Sequence, residues 1–450
     1  MKKRLYALSA ALLFLAILTA CQQAVTGTIG AIGGRKWTFV VYMAADNDLE
    51  AAAIADFNEL EGAAVPGNAA SILALLDRAP GYDATNGNWT DTRLFEVRND
   101  PNGVNATIVS KRLSCPELGL SSDMETELDM SDPLVLSRLL AFAKRVYPAE
   151  NYGLLVWGHG TGWRSGGTVS GTLPEPLKAV AFDDTSTHFM GLPSLGEAVS
   201  GQGLSVIAFD TCFGALLEIA YQIRNSAEWF VGSEGVIPST GWNYAGLFTS
   251  FLQKPFLLPG DFCDSAMDQF IGQYSGVAGS AISKIKLSEV SALFSAFETF
   301  SGTLARNITS IPIRDAVLTS VLTTVESYYF TSYPSDLYID IYDFSQKMIA
   351  MRTSITSDPL EQNAISVSGT LLQSALQNAV PSSWAKNGTT MKLGVHVIPL
   401  QAASVPRSSH EGEYINGSAS LGKSAFVENS VHWVPHAVPQ TDSFLDKLFY

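Results

Sequence analysis

The sequence is short of cysteine, of basic residues and of charge altogether. Four cysteines in 450 residues cannot staple a chain of this length, which excludes the disulfide-dense scaffolds that manage without a large core. Charged residues make up 16% of the chain against 46% apolar and 10% aromatic, and disordered or low-complexity chains carry the opposite balance. Lys and Arg number 28 against 43 Asp and Glu, a formal net charge of -15. Sequence-independent attraction to nucleic acid needs the other sign, so a nucleic-acid partner is rejected. No G-x-S-x-G elbow is present, and the glycines of 30–34 lack the strand and helix that would make them a phosphate loop. His432 and His436 are four apart, but Pro435 opposes the helix that would align them, and no metal site is assigned. The apolar stretch Leu5–Leu18 is too short for a confident membrane span. It follows Lys2-Lys3-Arg4 and precedes small residues, the layout of a removable export signal.

What the chain does contain is a succession of short apolar runs and helical patterns. Trp37–Met43 reads as a strand and the residues from Asp48 onward as a helix. Ser71–Leu76 is a second apolar run, and 93–98 with 106–111 read as a more polar pair of strands. Asp132 before Pro133 is an N-cap with proline at the first helical position, and Leu136, Leu139, Leu140, Ala143 and Tyr147 share one helical face. Gly153–Trp157 and Leu204–Phe209 are continuous apolar strands that end at Gly158-His159-Gly160 and Asp210-Thr211-Cys212. Strands without polar alternation, separated by helices, make an α/β fold whose mostly parallel sheet is covered on both faces. From about Leu287 helical stretches dominate until a strand returns at 392–399. The expected division is therefore 36–275 and a helix-rich C-terminal region, 276–450.

Ligands of such sheets bind beyond the carboxyl ends of the strands, which places His159 and Cys212 on one rim. A thiol nucleophile needs a base to take and return its proton and N–H donors for the oxyanion it creates. Cys212 is expected to open a helix whose dipole lowers the thiol pKa, and the glycines around His159 leave room for a substrate backbone. Asp46-Asn47-Asp48 and Asp183-Asp184 can offer oxygen ligands to calcium, or else cap a helix and close a turn.

These residues lie in blocks that resemble the clostripain-like cysteine peptidases, relatives of caspases, gingipains and legumains. WTFVVYMAADNDLE, NYGLLVWGHGTGW, FDDTSTHFMGLPSLGEAV, VIAFDTCFGALLEIAYQIR and VGSEGVIPSTGWNY follow in that order between Trp37 and Tyr244, with weaker echoes in YIDIYDFSQKM and GVHVIP. The caspase signature itself is absent, because Asp210-Thr211-Cys212-Phe213-Gly214 replaces the Gln-Ala-Cys form. The resemblance implies a caspase-like three-layer sandwich and a cysteine endopeptidase. In it His159 is the general base and acid, Cys212 is the nucleophile, and the backbone N–H groups of Gly160 and Cys212 hold the oxyanion. Asp210 would line the S1 pocket and pair with Arg or Lys of the substrate. Thr240 stands where the family often has Asp, and Glu234 is the expected substitute.

The same resemblance brings further expectations. Some members require calcium, although the sequence demands no cofactor, and some self-cleave after a basic residue, for which Arg164 and Lys178 are available between His159 and Cys212. Leu18-Thr19-Ala20-Cys21 resembles a bacterial lipobox, cut before Cys21, whose sulfur then carries lipid. Residues 1–20 become the signal and 21–35 a flexible tether. The expected protein is exported and membrane-held through its lipid, at the outer membrane or cell surface in a Gram-negative cell, with a peptide or protein as substrate. A catalytically silent lipoprotein that binds peptide or adheres, and a thiol amidase, are the competing readings. Cys115 and Cys263 are expected as separate free thiols, although an oxidising compartment permits a bridge.

Overall fold

Apolar runs with no polar alternation must be covered on both faces, and five of them lie side by side and parallel at the centre of the molecule. The computed structural model describes residues 35–63, 65, 69–105, 107–162, 180–323, 327–330, 333–386, 393–397, 424–431, 433 and 443–449. Its strands are β1 (Trp37–Ala45), β2 (Ala70–Arg78), β3 (Arg93–Glu96), β4 (Lys111–Leu113), β5 (Asn151–Trp157), β6 (Val180–Asp183), β7 (His188–Met190), β8 (Val206–Asp210), β9 (Trp229–Gly232), β10 (Ala281–Lys286), β11 (Ser327–Phe330), β12 (Tyr333–Asp340), β13 (Ser382–Ala385) and β14 (Gly394–Val397). Among the described residues the main sheet has nine strands in the order β13-β10-β9-β8-β5-β1-β2-β3-β4. β9, β8, β5, β1 and β2 run parallel, and antiparallel pairs close both edges.

Every residue of β1 is buried, and its side chains alternate between two cores. Val40, Tyr42 and Ala44 face one, with the helices Pro133–Val146, Leu192–Val199, Leu217–Ile223, Val290–Asn307 and Pro359–Ala379. Phe39, Val41 and Met43 face the other, with Glu50–Glu61, Tyr244–Leu252 and Pro259–Tyr274. These are the three layers. Pro133–Val146 starts as its sequence dictates, with the Asp132 carboxylate accepting the Leu134 N–H at 2.8 Å and Pro133 in the first turn. Gly153 is required by packing, since a Cβ there would lie 2.4 Å from the Phe39 ring.

The sheet spans the expected division near residue 275, because β10 and β13 belong to it. A separate antiparallel sheet, β11-β12-β14, contains the strand expected at 392–399. It grips the rim of the main sheet: the Tyr338 hydroxyl donates to the Thr161 carbonyl at 2.6 Å and the Gly394 N–H to Ala215 at 3.1 Å. The strand expected at 106–111 does not form. The N–H groups of Thr107, Val109 and Ser110 are taken by the side chains of Asn105 and Glu61, so no ladder can use them, and β4 begins only at Lys111. No helix among the described residues is long and apolar enough to cross a membrane.

Cys115 is buried in one core and Cys263 in the other, with the sheet between them. A disulfide needs Cα atoms within about 7 Å, which two layers on opposite sides of a sheet cannot supply, and both thiols are free. Alkylation of the denatured, unreduced protein from residue 36 onward should therefore label Cys115, Cys212 and Cys263 alike. Labelling of Cys212 alone would mean that the two cores are assigned wrongly.

Candidate active site

Register builds the site. Met43 pairs with Leu76 on one side and Trp157 on the other, and Trp157 pairs with Asp210. Leu76, Met43, Trp157 and Asp210 thus form one row across the parallel strands, and the chain leaves each strand just beyond it. Asp46 and Asp48 follow β1, His159 follows β5, and Cys212 follows β8. A cleft of about 200 Å³ opens there, walled by Trp157–His159, Asp210–Cys212, Ile237–Ser239, Gly241 and Leu49.

His159 and Cys212 share this cleft. The His159 Nε2 is 2.6 Å from the exposed Asp48 carboxylate, and its ring meets Phe182 edge-on at 5.5 Å between centroids. Cys212 does not open a helix. Phe213 turns the chain into the left-handed region at φ 51°, its N–H donates to Gly235, and the helix begins at Leu217. The expected dipole effect is therefore absent. Burial instead pushes the thiol up, with Asp210 adding to it, while the Ile237 N–H, 3.3 Å from Sγ, opposes. Gly160 is held against the same turn, since a Cβ there would lie 2.3 Å from the Cys212 carbonyl oxygen. The two backbone segments expected to hold an oxyanion are thus neighbours.

Asp210 forms the floor of the cleft. Its Oδ2 accepts the Trp242 N–H and the Tyr244 hydroxyl, both at 2.9 Å. Beside it lies Asp56, from the helix Glu50–Glu61, whose Oδ2 accepts the Trp157 indole N–H at 2.6 Å. The two carboxylates converge on Gly241: a Cβ at that residue, where φ is +55°, would stand 2.4 Å from Asp56 Oδ2 and 3.0 Å from Asp210 Oδ2. Only glycine fits this turn. Burial raises the Asp210 carboxyl to about 7 despite its two hydrogen bonds, and burial followed by the charge of Asp210 pushes Asp56 well up. Thr240 is exposed at the lip, its hydroxyl 2.8 Å from that of Tyr274. Glu234 is fully buried but lies away from the cleft, its Cγ 3.1 Å from the Cβ position of Gly394. The carboxylate that accompanies Asp210 is Asp56 and not, as expected, Glu234.

A profile of the Clostripain family, peptidase family C11, matches residues 41–415. The chain belongs to this family. It is 28% identical to clostripain of Hathewaya histolytica over 242 residues, which is 50% of this chain and 44% of that protein. The match thus spans less than half the length of that relative. The fold is similar to an inactive zymogen C11 protease from Parabacteroides distasonis, at TM-score 0.56 and 18% identity over 82% of this chain and 93% of the other. It is equally similar to a secreted C11 cysteine protease from Bacteroides thetaiotaomicron in complex with an irreversible peptide inhibitor, at TM-score 0.55 and 22% identity over 84% and 96%. The caspase-like sandwich expected from the sequence is the fold observed.

The roles of two aspartates of this clostripain-family cleft escape sequence reasoning. Asp56 is one of four carboxylates along Glu50–Glu61, and only the fold shows it buried beside Asp210. The sequence offers Asp48 as an oxygen ligand or a cap, and its contact with His159 leaves no signal there. The aspartates weighed as calcium ligands are divided between tasks: Asp46 and Asp183 meet Asp77 and Glu127, each bringing a carboxylate oxygen within 4.8 Å of the others, while Asp48 serves His159 and Asp184 accepts from Tyr82. Cys21, Arg164 and Lys178 lie outside the described residues.

The Asp210 carboxyl, raised in the fold, contributes stability that is complete below the ordinary carboxyl value near pH 4 and is lost as pH rises from there through about 7. Asp210→Asn should therefore gain on the wild type in chemical denaturation across that range, with a larger advantage at pH 8 than at pH 5. An equal difference at both pH values would contradict the buried, proton-holding floor.

Proposed function

We propose that this chain is an exported cysteine endopeptidase, held at the membrane by lipid on Cys21, that cleaves peptides after Arg or Lys. The observation that carries the reading is the cleft itself, in which an imidazole and a thiol stand on one rim above a floor of two buried carboxylates. Burial pushes the Cys212 thiol up, so a base is needed, and His159 takes its proton as sulfur attacks the substrate carbonyl carbon. The new C–S bond leaves a negative charge on the carbonyl oxygen, which the N–H groups of Gly160 and Cys212 receive. His159 then gives the proton to the departing amine as the C–N bond breaks, and water releases the acyl group from sulfur. Asp48 orients the imidazole through Nε2. A cationic side chain entering above Asp210 and Asp56 compensates their buried carboxylates, whereas a neutral one leaves them without a partner of opposite charge. Support for export comes from the signal-like amino terminus and from the secreted Bacteroides relative.

Cys212→Ala and His159→Ala should each lower kcat by at least about 100-fold with the thermal midpoint unchanged. Turnover retained in Cys212→Ala would end the peptidase reading and favour the silent, peptide-binding one. A positional substrate library should show Arg or Lys preferred at P1, with the preference lost in Asp210→Ala. Globomycin treatment of expressing cells, with mass analysis of the amino terminus, tests the lipid on Cys21: an unmodified terminus elsewhere would remove the anchor.

A further inference from the structure

The small C-terminal sheet reaches the catalytic rim through one side chain. Tyr338 lies near the end of β12, opposite His396 of β14, and is 1% exposed. A phenol hydroxyl buried this deeply is costly unless it is bonded. It donates to the Thr161 carbonyl at 2.6 Å, across 177 positions of sequence. The ring lies against that of Phe213, with 4.9 Å between centroids and 30° between planes. Thr161 is two residues after His159, and Phe213 is one after Cys212. A single residue from outside the main sheet therefore touches both segments that carry the imidazole and the thiol.

Each segment depends on such a hold. Phe213 sits in the left-handed region at φ 51°, a conformation that a bulky residue keeps only where its surroundings enforce it. The Gly235 carbonyl holds its N–H at 3.0 Å, and the Tyr338 ring holds its side chain. The His159 segment passes through Gly162 at φ +78°, where a Cβ would lie 2.5 Å from Leu216 Cδ1 and 2.8 Å from Tyr338 Oη. That backbone is thus packed against the phenol and against the Cys212 segment together. β14 adds a second tie, since the Gly394 N–H donates to the Ala215 carbonyl at 3.1 Å and a Cβ at Gly394 would lie 2.6 Å from Leu216 Cδ2.

A thiol and an imidazole exchange a proton only within hydrogen-bond reach, and a misplacement of about 1 Å costs on the order of 100-fold in rate. His159 and Cys212 belong to different strands, and past the row of Trp157 and Asp210 their segments are joined by a long bond, from the Gly158 N–H to the Asp210 carbonyl at 3.4 Å. Sheet register alone therefore leaves their spacing loosely set. On the reading of His159 and Cys212 as the reacting pair, we propose that Tyr338 is a positioning residue of the hydrolysis. Its hydroxyl holds the His159 segment and its ring holds the Cys212 turn, so that the C-terminal sheet sets the spacing of the pair.

Tyr338→Phe removes the hydroxyl and keeps the ring, so the variant folds. Its kcat should fall about ten-fold with KM unchanged. Thr38→Val is the reference, because it removes a buried hydroxyl bond of the same kind, to the Tyr147 carbonyl at 2.7 Å, at the far end of β1. Both variants should lower the thermal midpoint, but Thr38→Val should keep the wild-type kcat. A lowered midpoint with kcat unchanged in Tyr338→Phe would make the phenol merely structural and overturn the proposal. A second readout needs no turnover: alkylation of Cys212 by iodoacetamide in the folded protein, followed by mass mapping, should be slowed by His159→Ala and by Tyr338→Phe and left alone by Thr38→Val. Equal alkylation rates in wild type and Tyr338→Phe would overturn the positioning. Activity lost in Cys212→Ala but full in Tyr338→Phe would remove Tyr338 alone, whereas activity retained in Cys212→Ala would remove the reacting pair and this role with it.

Discussion

Parallel hydrogen bonding between β1, β2, β5, β8 and β9 is the constraint from which the rest of the molecule follows. Strands that run the same way must end on the same edge, and register decides how far each chain travels before it turns. With Met43, Trp157 and Asp210 level across the sheet, the residues after them emerge together, and a histidine and a cysteine from segments more than fifty positions apart meet in one cleft. Neither loop could hold this geometry alone. The glycines at 153 and 160 are the visible cost, because a Cβ at either would collide with Phe39 or with the Cys212 turn.

The same rim concentrates negative charge. Asp56, Glu59 and Asp210 lie under the cleft, and Asp46, Asp77, Glu127 and Asp183 beside it. Burial raises Asp77, Asp183 and Glu127, the last to about 8, as it raises Asp56 and Asp210. The basic residues nearby are engaged with other carboxylates. The clusters differ in access. Asp210 borders the open cleft, whereas Asp46 and Asp77 are closed off from solvent.

The strands that build the site were legible because burial on both faces leaves an uninterrupted apolar signature, and β1, β5 and β8 coincide with the runs expected. His159 and Cys212 were legible for the same reason, as polar residues directly after such runs. What escaped was set by contacts distant in sequence. Asp48 and His159 are 111 residues apart, and Asp56 and Trp157 are 101 apart. The edge strand near residue 110 was misplaced because Glu61 captures its N–H groups. The start of the helix after Cys212 was misplaced because nothing in Phe213-Gly214-Ala215-Leu216 announces the left-handed turn at Phe213.

Thr240 carries no charge, yet the cleft beside it is acidic. A carboxylate at 240 would stand at the lip, exposed, where solvent screens it. Asp56 reaches the floor from the opposite side, through Gly241, and burial makes its charge count for more against a bound cation. The second carboxylate comes from the helix Glu50–Glu61, and Tyr274 engages Thr240, its hydroxyl meeting both the threonine and the Gly241 carbonyl. Residue 240 thus hydrogen-bonds a hydroxyl at the surface. The turn that carries it must still place glycine at 241, because any side chain there would drive Asp56 and Asp210 apart.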